Sequence, residues 1–202
     1  HYFGLIGLIS TFRLLGRKAE LNIFAPKGLE EMILMHLKLS LSYLSYKLNF
    51  YNLESKNQKL IFKNQDFMVK TIPLNHRIYT NGFLFEELIH RNRKKSKSEK
   101  INSKTYAFCS DTAYYPKIVE LISCVDCLYH ESTFLDSHAH LAKKTKHSTA
   151  SDAAKIASMA KVGKLILGHF SNRYKDQDNF LKEAKIYFEK VSLAIEGSEF
   201  EI

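Results

Sequence analysis

Five polar clusters in this chain close apolar runs or stand between them. They are Asn75-His76-Arg77, Ser110-Asp111-Thr112, His130-Glu131-Ser132-Thr133, Lys146-His147-Ser148-Thr149 and His169-Phe170-Ser171-Asn172-Arg173-Tyr174. Asp111 ends the run Tyr106-Ala107-Phe108-Cys109, and His169 ends Leu165-Ile166-Leu167-Gly168. A carboxylate and imidazoles (His1, His76 and His169) converging at one rim of a sheet would suit a divalent metal such as zinc or manganese. Glu131 with His147 would make a carboxylate-imidazole pair for proton delivery. Arg173 is a planar donor suited to phosphate, as are the hydroxyls of Ser148 and Thr149 beside a helix start at residue 151. Gly168 would let the backbone come close to a metal or its ligands. Taken singly, Asp111 reads as a turn or capping acid, and His76 as a loop histidine paired with a carbonyl.

The elements that would position these groups form an α/β pattern. The first part holds a helix over 6–15, a strand over 20–24 and a helix over 29–39 with Glu30 and Glu31 in its first turn. Residues 45–87 read as a meander of short strands at 46–51, 60–63, 67–73 and 78–87. Regular alternation follows: strand 105–109, helix 116–121, strand 124–129, helix 151–160, strand 164–167, helix 178–190, and strands 191–194 and 199–202. Thr149 and Asp152 have the spacing of a capping box, and Ala153, Ile156, Ala157 and Ala160 form one apolar face.

With 202 residues, 45% of them hydrophobic, the chain can bury a core in a single domain. No apolar run is long enough for a membrane span and the start does not read as a signal peptide, so a cytoplasmic protein is expected. Three cysteines argue against a disulfide framework, and Cys124 and Cys127 are expected to pack in or beside a strand. The net charge of +9 favours a polyanionic partner. Between residues 91 and 104 stand seven basic residues and one acid, Glu99. That segment reads either as a solvated loop or as an RNA contact without aromatic stacking.

In order and in wording, Ser-Asp-Thr (110–112), His-Glu-Ser-Thr-Phe (130–134), Lys-His-Ser-Thr-Ala (146–150) and His-Phe-Ser-Asn-Arg-Tyr (169–174), with Asn-His-Arg (75–77), resemble ribonuclease Z, the tRNA 3′-end processing endoribonuclease of the metallo-β-lactamase superfamily. The opening His-Tyr-Phe-Gly-Leu resembles the segment that ends the superfamily's His-x-His-x-Asp-His motif. The resemblance implies a four-layer αββα sandwich lacking its N-terminal strands, as one domain over 1–202 with a basic insertion at 90–104. It implies two zinc ions bridged by Asp111, with His76 a ligand of one and His1 and His169 ligands of the other. His147, steadied by Glu131, would protonate the leaving group, and Arg173, Ser148 and Thr149 would hold phosphates. Precursor tRNA would be the substrate, cut to leave a tRNA 3′-hydroxyl, and the enzyme would be a homodimer.

Two departures from the family pattern accompany this. The chain is expected to be an N-terminally truncated fragment whose remaining metal ligands lie upstream of His1, and so to bind two zincs poorly and to cleave slowly by itself. The basic loop stands where many members carry a Gly/Pro-containing arm for the tRNA elbow, and is expected to be a reduced substitute. Two alternatives are another metallo-β-lactamase-fold phosphodiesterase or hydrolase, and a non-catalytic RNA-binding subunit.

Overall fold

A computed structural model describes residues 2–88 and 103–202. The basic segment 91–104 therefore lies outside the described residues except for its last two positions, as does His1. The chain divides into two compact units, residues 1–54 and 55–202.

The first unit contains α1 (Phe3–Leu14), β1 (Leu21–Ala25), α2 (Leu29–Leu39) and β2 (Leu48–Asn52). β1 and β2 pair in parallel, Leu21 opposite Leu48 through Ala25 opposite Asn52. The strand anticipated at 46–51 thus does not open a meander. It closes a β-α-β unit with α2 as its crossover, because parallel partners need a connection too long for a hairpin. Ile9, Ile23, Ile33 and Leu37 bury together here, and Tyr46 donates its hydroxyl to the carbonyl of Ile9 at 2.7 Å.

The second unit is built on one seven-stranded sheet whose strands lie in chain order. β3 (Leu60–Lys63), β4 (Phe67–Pro73), β5 (Asn81–Glu87) and β6 (Thr105–Cys109) are antiparallel neighbours. β7 (Cys127–Glu131), β8 (Lys164–Gly168) and β9 (Val191–Leu193) continue from β6 in parallel. Leu165, Ile166 and Leu167 are all buried, as expected for a parallel strand covered on both faces.

Between the parallel strands lie α3 (Ala139–Thr145), α4 (Ala150–Ala160) and α5 (Asp178–Lys185). The α4 start is as anticipated. Thr149 Oγ1 accepts from the Asp152 N–H at 3.1 Å, and Asp152 accepts in return from the Thr149 N–H at 3.2 Å. Its face Ala153, Ile156, Ala157 and Ala160 buries with Leu128, Leu165, Leu167 and Phe180. Small residues on that face let the helix approach the sheet closely, and truncating a buried leucine there would cost about 2–5 kcal/mol.

Several boundaries differ from the sequence reading. The segment 116–121 forms two short 3₁₀ turns, not an α-helix, and residues 199–202 are in no strand. The strand anticipated at 124–129 runs from Cys127 to Glu131, since Cys124 takes a left-handed backbone (φ 58°) and bonds through its N–H to the carbonyl of Ala160. That shift matters for function, because it makes Glu131 a strand residue. Cys127 is buried in β7 and Cys124 is exposed. Among the described residues no helix is long and apolar enough to cross a membrane.

Candidate metal and catalytic centre

Register assembles the site. In the parallel ladder Cys109 of β6 stands opposite His130 of β7, and Glu131 stands opposite Gly168 of β8. The C-terminal ends of three neighbouring strands therefore present Asp111, Glu131 and His169 at one rim. Two of the three sit in a left-handed backbone, Asp111 at φ 56° and His169 at φ 60°. Non-glycine residues take that conformation rarely and at some cost, which sharp turns at a working rim can impose. His147 arrives from the other direction: Lys146 ends α3 in a left-handed conformation (φ 57°), and the His147 N–H bonds back to the carbonyl of Ala142 at 2.9 Å.

Asp111, Glu131, His147 and His169 offer ligand atoms that all lie within 4.8 Å of one another. Asp111 Oδ1 is 3.2 Å from His169 Nε2 and 3.9 Å from His147 Nδ1. Two ligands on a tetrahedral zinc, each about 2.0–2.1 Å from it, are about 3.3 Å apart. The spacing of Asp111 and His169 fits a shared divalent ion, and so does the borderline-hard donor set of carboxylate and imidazole.

Glu131 is fully buried and saturated with donors. Oε1 accepts from the Thr112 N–H at 2.8 Å and from His147 Nδ1 at 2.7 Å. Oε2 accepts from the Thr133 N–H at 3.2 Å, the Thr133 hydroxyl at 2.7 Å and the Ser148 N–H at 3.1 Å. Burial pushes this carboxyl up, but the His147 hydrogen bond and charge, with Thr133 and Ser148, outweigh it and hold Glu131 below its ordinary range. With both oxygens so occupied, Glu131 is equipped to orient its neighbours and not to take a metal. The hydrogen bond that His147 donates to Glu131 in turn raises His147, against burial and the nearby Arg77.

His76 comes within reach by a different route. The loop after β4 is latched to the Asp111 turn: the Asn75 N–H donates to Thr112 Oγ1 at 3.1 Å and the Ala113 N–H to the Asn75 carbonyl at 2.9 Å. His76 Nδ1 pairs with the Lys146 carbonyl at 2.8 Å. Ring centroids run His76 to His147 at 5.0 Å and His147 to His169 at 5.3 Å, so three histidines distant in sequence stand side by side.

Arg173 is exposed at the rim, its guanidinium 5.2 Å from the centre of the Phe134 ring and its Nε donating to Ser171 Oγ at 3.1 Å. Phe134 in turn meets the edge of His147, with ring centroids 6.3 Å apart. Ser148 and Thr149 are placed otherwise than anticipated for phosphate contacts. Both are buried; the Ser148 hydroxyl donates to the Thr112 carbonyl at 2.6 Å, and the Thr149 hydroxyl caps α4. Gly168 also has a different reason. A Cβ there would collide with the hydroxyl and ring of Tyr129, so the glycine makes room for an aromatic ring and not for a metal.

Sequence reasoning passed over Thr133, Lys146 and Phe134 as individual residues. A hydroxyl two positions beyond a strand-end carboxylate is the one signal that could have singled out Thr133.

The ribonuclease Z of Bacteroides fragilis is 40% identical to this chain over 98% of the chain and 76% of its own length. The chain belongs to the ribonuclease Z family. The ribonuclease Z of Bacteroides thetaiotaomicron is 41% identical over 98% of the chain and 73% of its own length. Among solved structures, the short form of human tRNase Z superposes with a TM-score of 0.73 at 27% identity, covering 96% of this chain and 71% of that one. The metallo-β-lactamase fold protein YhfI of Bacillus subtilis superposes with a TM-score of 0.69 at 20% identity, over 96% of this chain and 72% of that one, which shows the shared fold. No protein-family model matches the chain. The fold is thus the metallo-β-lactamase fold, and a ribonuclease Z with that fold is a metal-dependent enzyme; in the cluster of Asp111, Glu131, His147 and His169, the first and last are the pair spaced to share an ion.

Proposed function

We propose that this ribonuclease Z removes the 3′ trailer from precursor tRNA and leaves the tRNA with a 3′-hydroxyl. The observation that carries the reading is the adjacency of two pairs: Asp111 with His169 at 3.2 Å, and Glu131 with His147 at 2.7 Å. One pair suits a divalent cation and the other suits proton transfer. In this reading Asp111, His76 and His169, with His1, hold two zinc ions. When bound, these supply water activation and charge stabilisation on the phosphoryl group. Glu131 holds the His147 ring by Nδ1 and leaves its Nε2 edge for the departing oxygen. The hydrogen bond to Glu131 favours the protonated ring, which is the form a general acid needs at the start of cleavage. Arg173, stacked on Phe134 beside His147, holds a phosphate of the substrate with its planar fork.

Several wider readings belong with it. Residues 1–202 act as one metallo-β-lactamase-like domain, a reading supported by relatives that align over 98% of the chain. The basic run 91–104 neutralises tRNA phosphates, supported by its seven cations. The enzyme works in the cytoplasm as a homodimer. Exposed large apolar side chains on α1 and α2, among them Phe3, Leu14, Met35 and Leu39, support such an association.

Asp111→Ala tests the enzyme reading. Cleavage of precursor tRNA should fall at least about a hundredfold while tRNA affinity stays within about threefold. Undiminished cleavage would refute it; a pure binding module would notice little beyond stability.

A further inference from the structure

Thr133 stands between the two pairs, and its hydroxyl has a single proton. Glu131 Oε2, which already accepts the N–H groups of Thr133 and Ser148, lies 2.7 Å from Thr133 Oγ1 and takes that proton. The same oxygen is 2.9 Å from His169 Nδ1. A hydroxyl whose proton is already donated can only accept, so the proton in the second contact belongs to the imidazole. His147 Nδ1 is also 3.3 Å from this oxygen, but it has the shorter partner in Glu131 Oε1 at 2.7 Å. Backbone bonds bracket the contact: the Ser132 N–H donates to the Gly168 carbonyl at 2.8 Å and the Ser171 N–H to the Thr133 carbonyl at 3.1 Å. The two loops are thereby tied together on either side of Thr133 and His169.

We propose that Thr133 is a positioning residue that carries the influence of buried Glu131 to His169, fixing the imidazole with a proton on Nδ1 and its Nε2 edge turned toward Asp111. Glu131 therefore sets two histidines at once, His147 by direct contact and His169 through one hydroxyl. Neutral imidazole needs one nitrogen bare to bind a divalent cation, and a fixed partner on the other nitrogen selects which. The inference rests on the proposed metal-centre reading for its consequence, though not for the tautomer itself.

The tautomer is measured on the metal-free 202-residue chain by long-range ¹H–¹⁵N correlation of the imidazole nitrogens, with His169→Asn used to assign the His169 signals. Wild type should show a proton-bearing Nδ1, with Nε2 left to the Asp111 carboxylate 3.2 Å away. Thr133→Val should shift His169 toward the other tautomer, and Thr133→Ser should restore the wild-type pattern. Thermal melts of both variants establish that they fold. Cobalt(II) titration, followed by its visible absorption, then reads the consequence. Thr133→Val should weaken affinity by about ten- to a hundredfold, and Thr133→Ser should stay within about threefold of wild type. Nδ1 bare in wild type, or an unchanged His169 pattern in Thr133→Val, overturns the relay. If His169→Ala binds cobalt as wild type does, the metal reading fails while the nitrogen spectra still decide the relay. If His169→Ala loses cobalt and Thr133→Val does not, the relay fails and the metal reading stands.

Discussion

Asp111 and His169 face each other across 3.2 Å, Oδ1 to Nε2, and both hold a left-handed backbone at the ends of β6 and β8. The two outliers are separated by 58 positions yet share a left-handed φ at one rim.

Asp111→Asn separates this backbone role from the charge. Asparagine tolerates the left-handed region, so the melting free energy should change by no more than about 1 kcal/mol, whereas cleavage should drop at least about a hundredfold. Asp111→Val, β-branched at a positive φ, should instead lower stability as well, by about 1–3 kcal/mol in denaturant titration.

The Glu131–His147 pair sets a pH window. Glu131 lies below its ordinary value of 4.5 in the fold, so its contribution is present above that value and is lost as pH falls. His147 lies above its ordinary 6.5, so its contribution is full below 6.5 and is lost as pH rises through the raised value. The pair therefore contributes most between these limits. Glu131→Gln should cost about 3 kcal/mol near pH 6, because it leaves a partner uncompensated in a buried site, and the gap to wild type should narrow on going well below pH 4.5. Urea titrations of both proteins across pH 3–9 check this; a gap that is flat with pH refutes the coupling.

Gly168→Ala should destabilise by about 1–3 kcal/mol through collision with Tyr129. Tyr129→Phe in that background should recover part of the loss and no more, because two ring carbons also stand within 2.6 Å of the added methyl. Full recovery would mean that the hydroxyl alone fills the space.

Arg173 should act through binding. Arg173→Ala is expected to raise KM for precursor tRNA about tenfold with a smaller change in kcat and a shallower salt dependence. Arg173→Lys should rescue incompletely, since an ammonium lacks both the fork and the flat face that stacks on Phe134. Equal activity of the lysine variant would show that charge alone suffices.

Much of the fold could be read from order and pattern. The run Leu165-Ile166-Leu167, the capping box of Thr149 and Asp152, and the small apolar face of α4 are local signals, and local chemistry enforces them. The family resemblance likewise lay in short motifs whose residues must stay together. Boundaries were less legible where tertiary pairing outweighed pattern. The β2 strand left the meander because β1 offered it a parallel partner, and β7 starts three residues later and ends two later because Cys124 turned into a left-handed loop.

At the site, the sequence by itself determined which groups are available: carboxylates at 111 and 131, imidazoles at 76, 147 and 169, and a guanidinium at 173. The tertiary structure decided how they divide the work. Glu131 became a buried acceptor with five donors, Ser148 and Thr149 turned inward, and Thr133 joined an acid to a histidine 38 positions away. Donor and acceptor capacity belongs to a residue, but which capacity is already spent depends on neighbours that only strand register and loop closure bring within 3 Å.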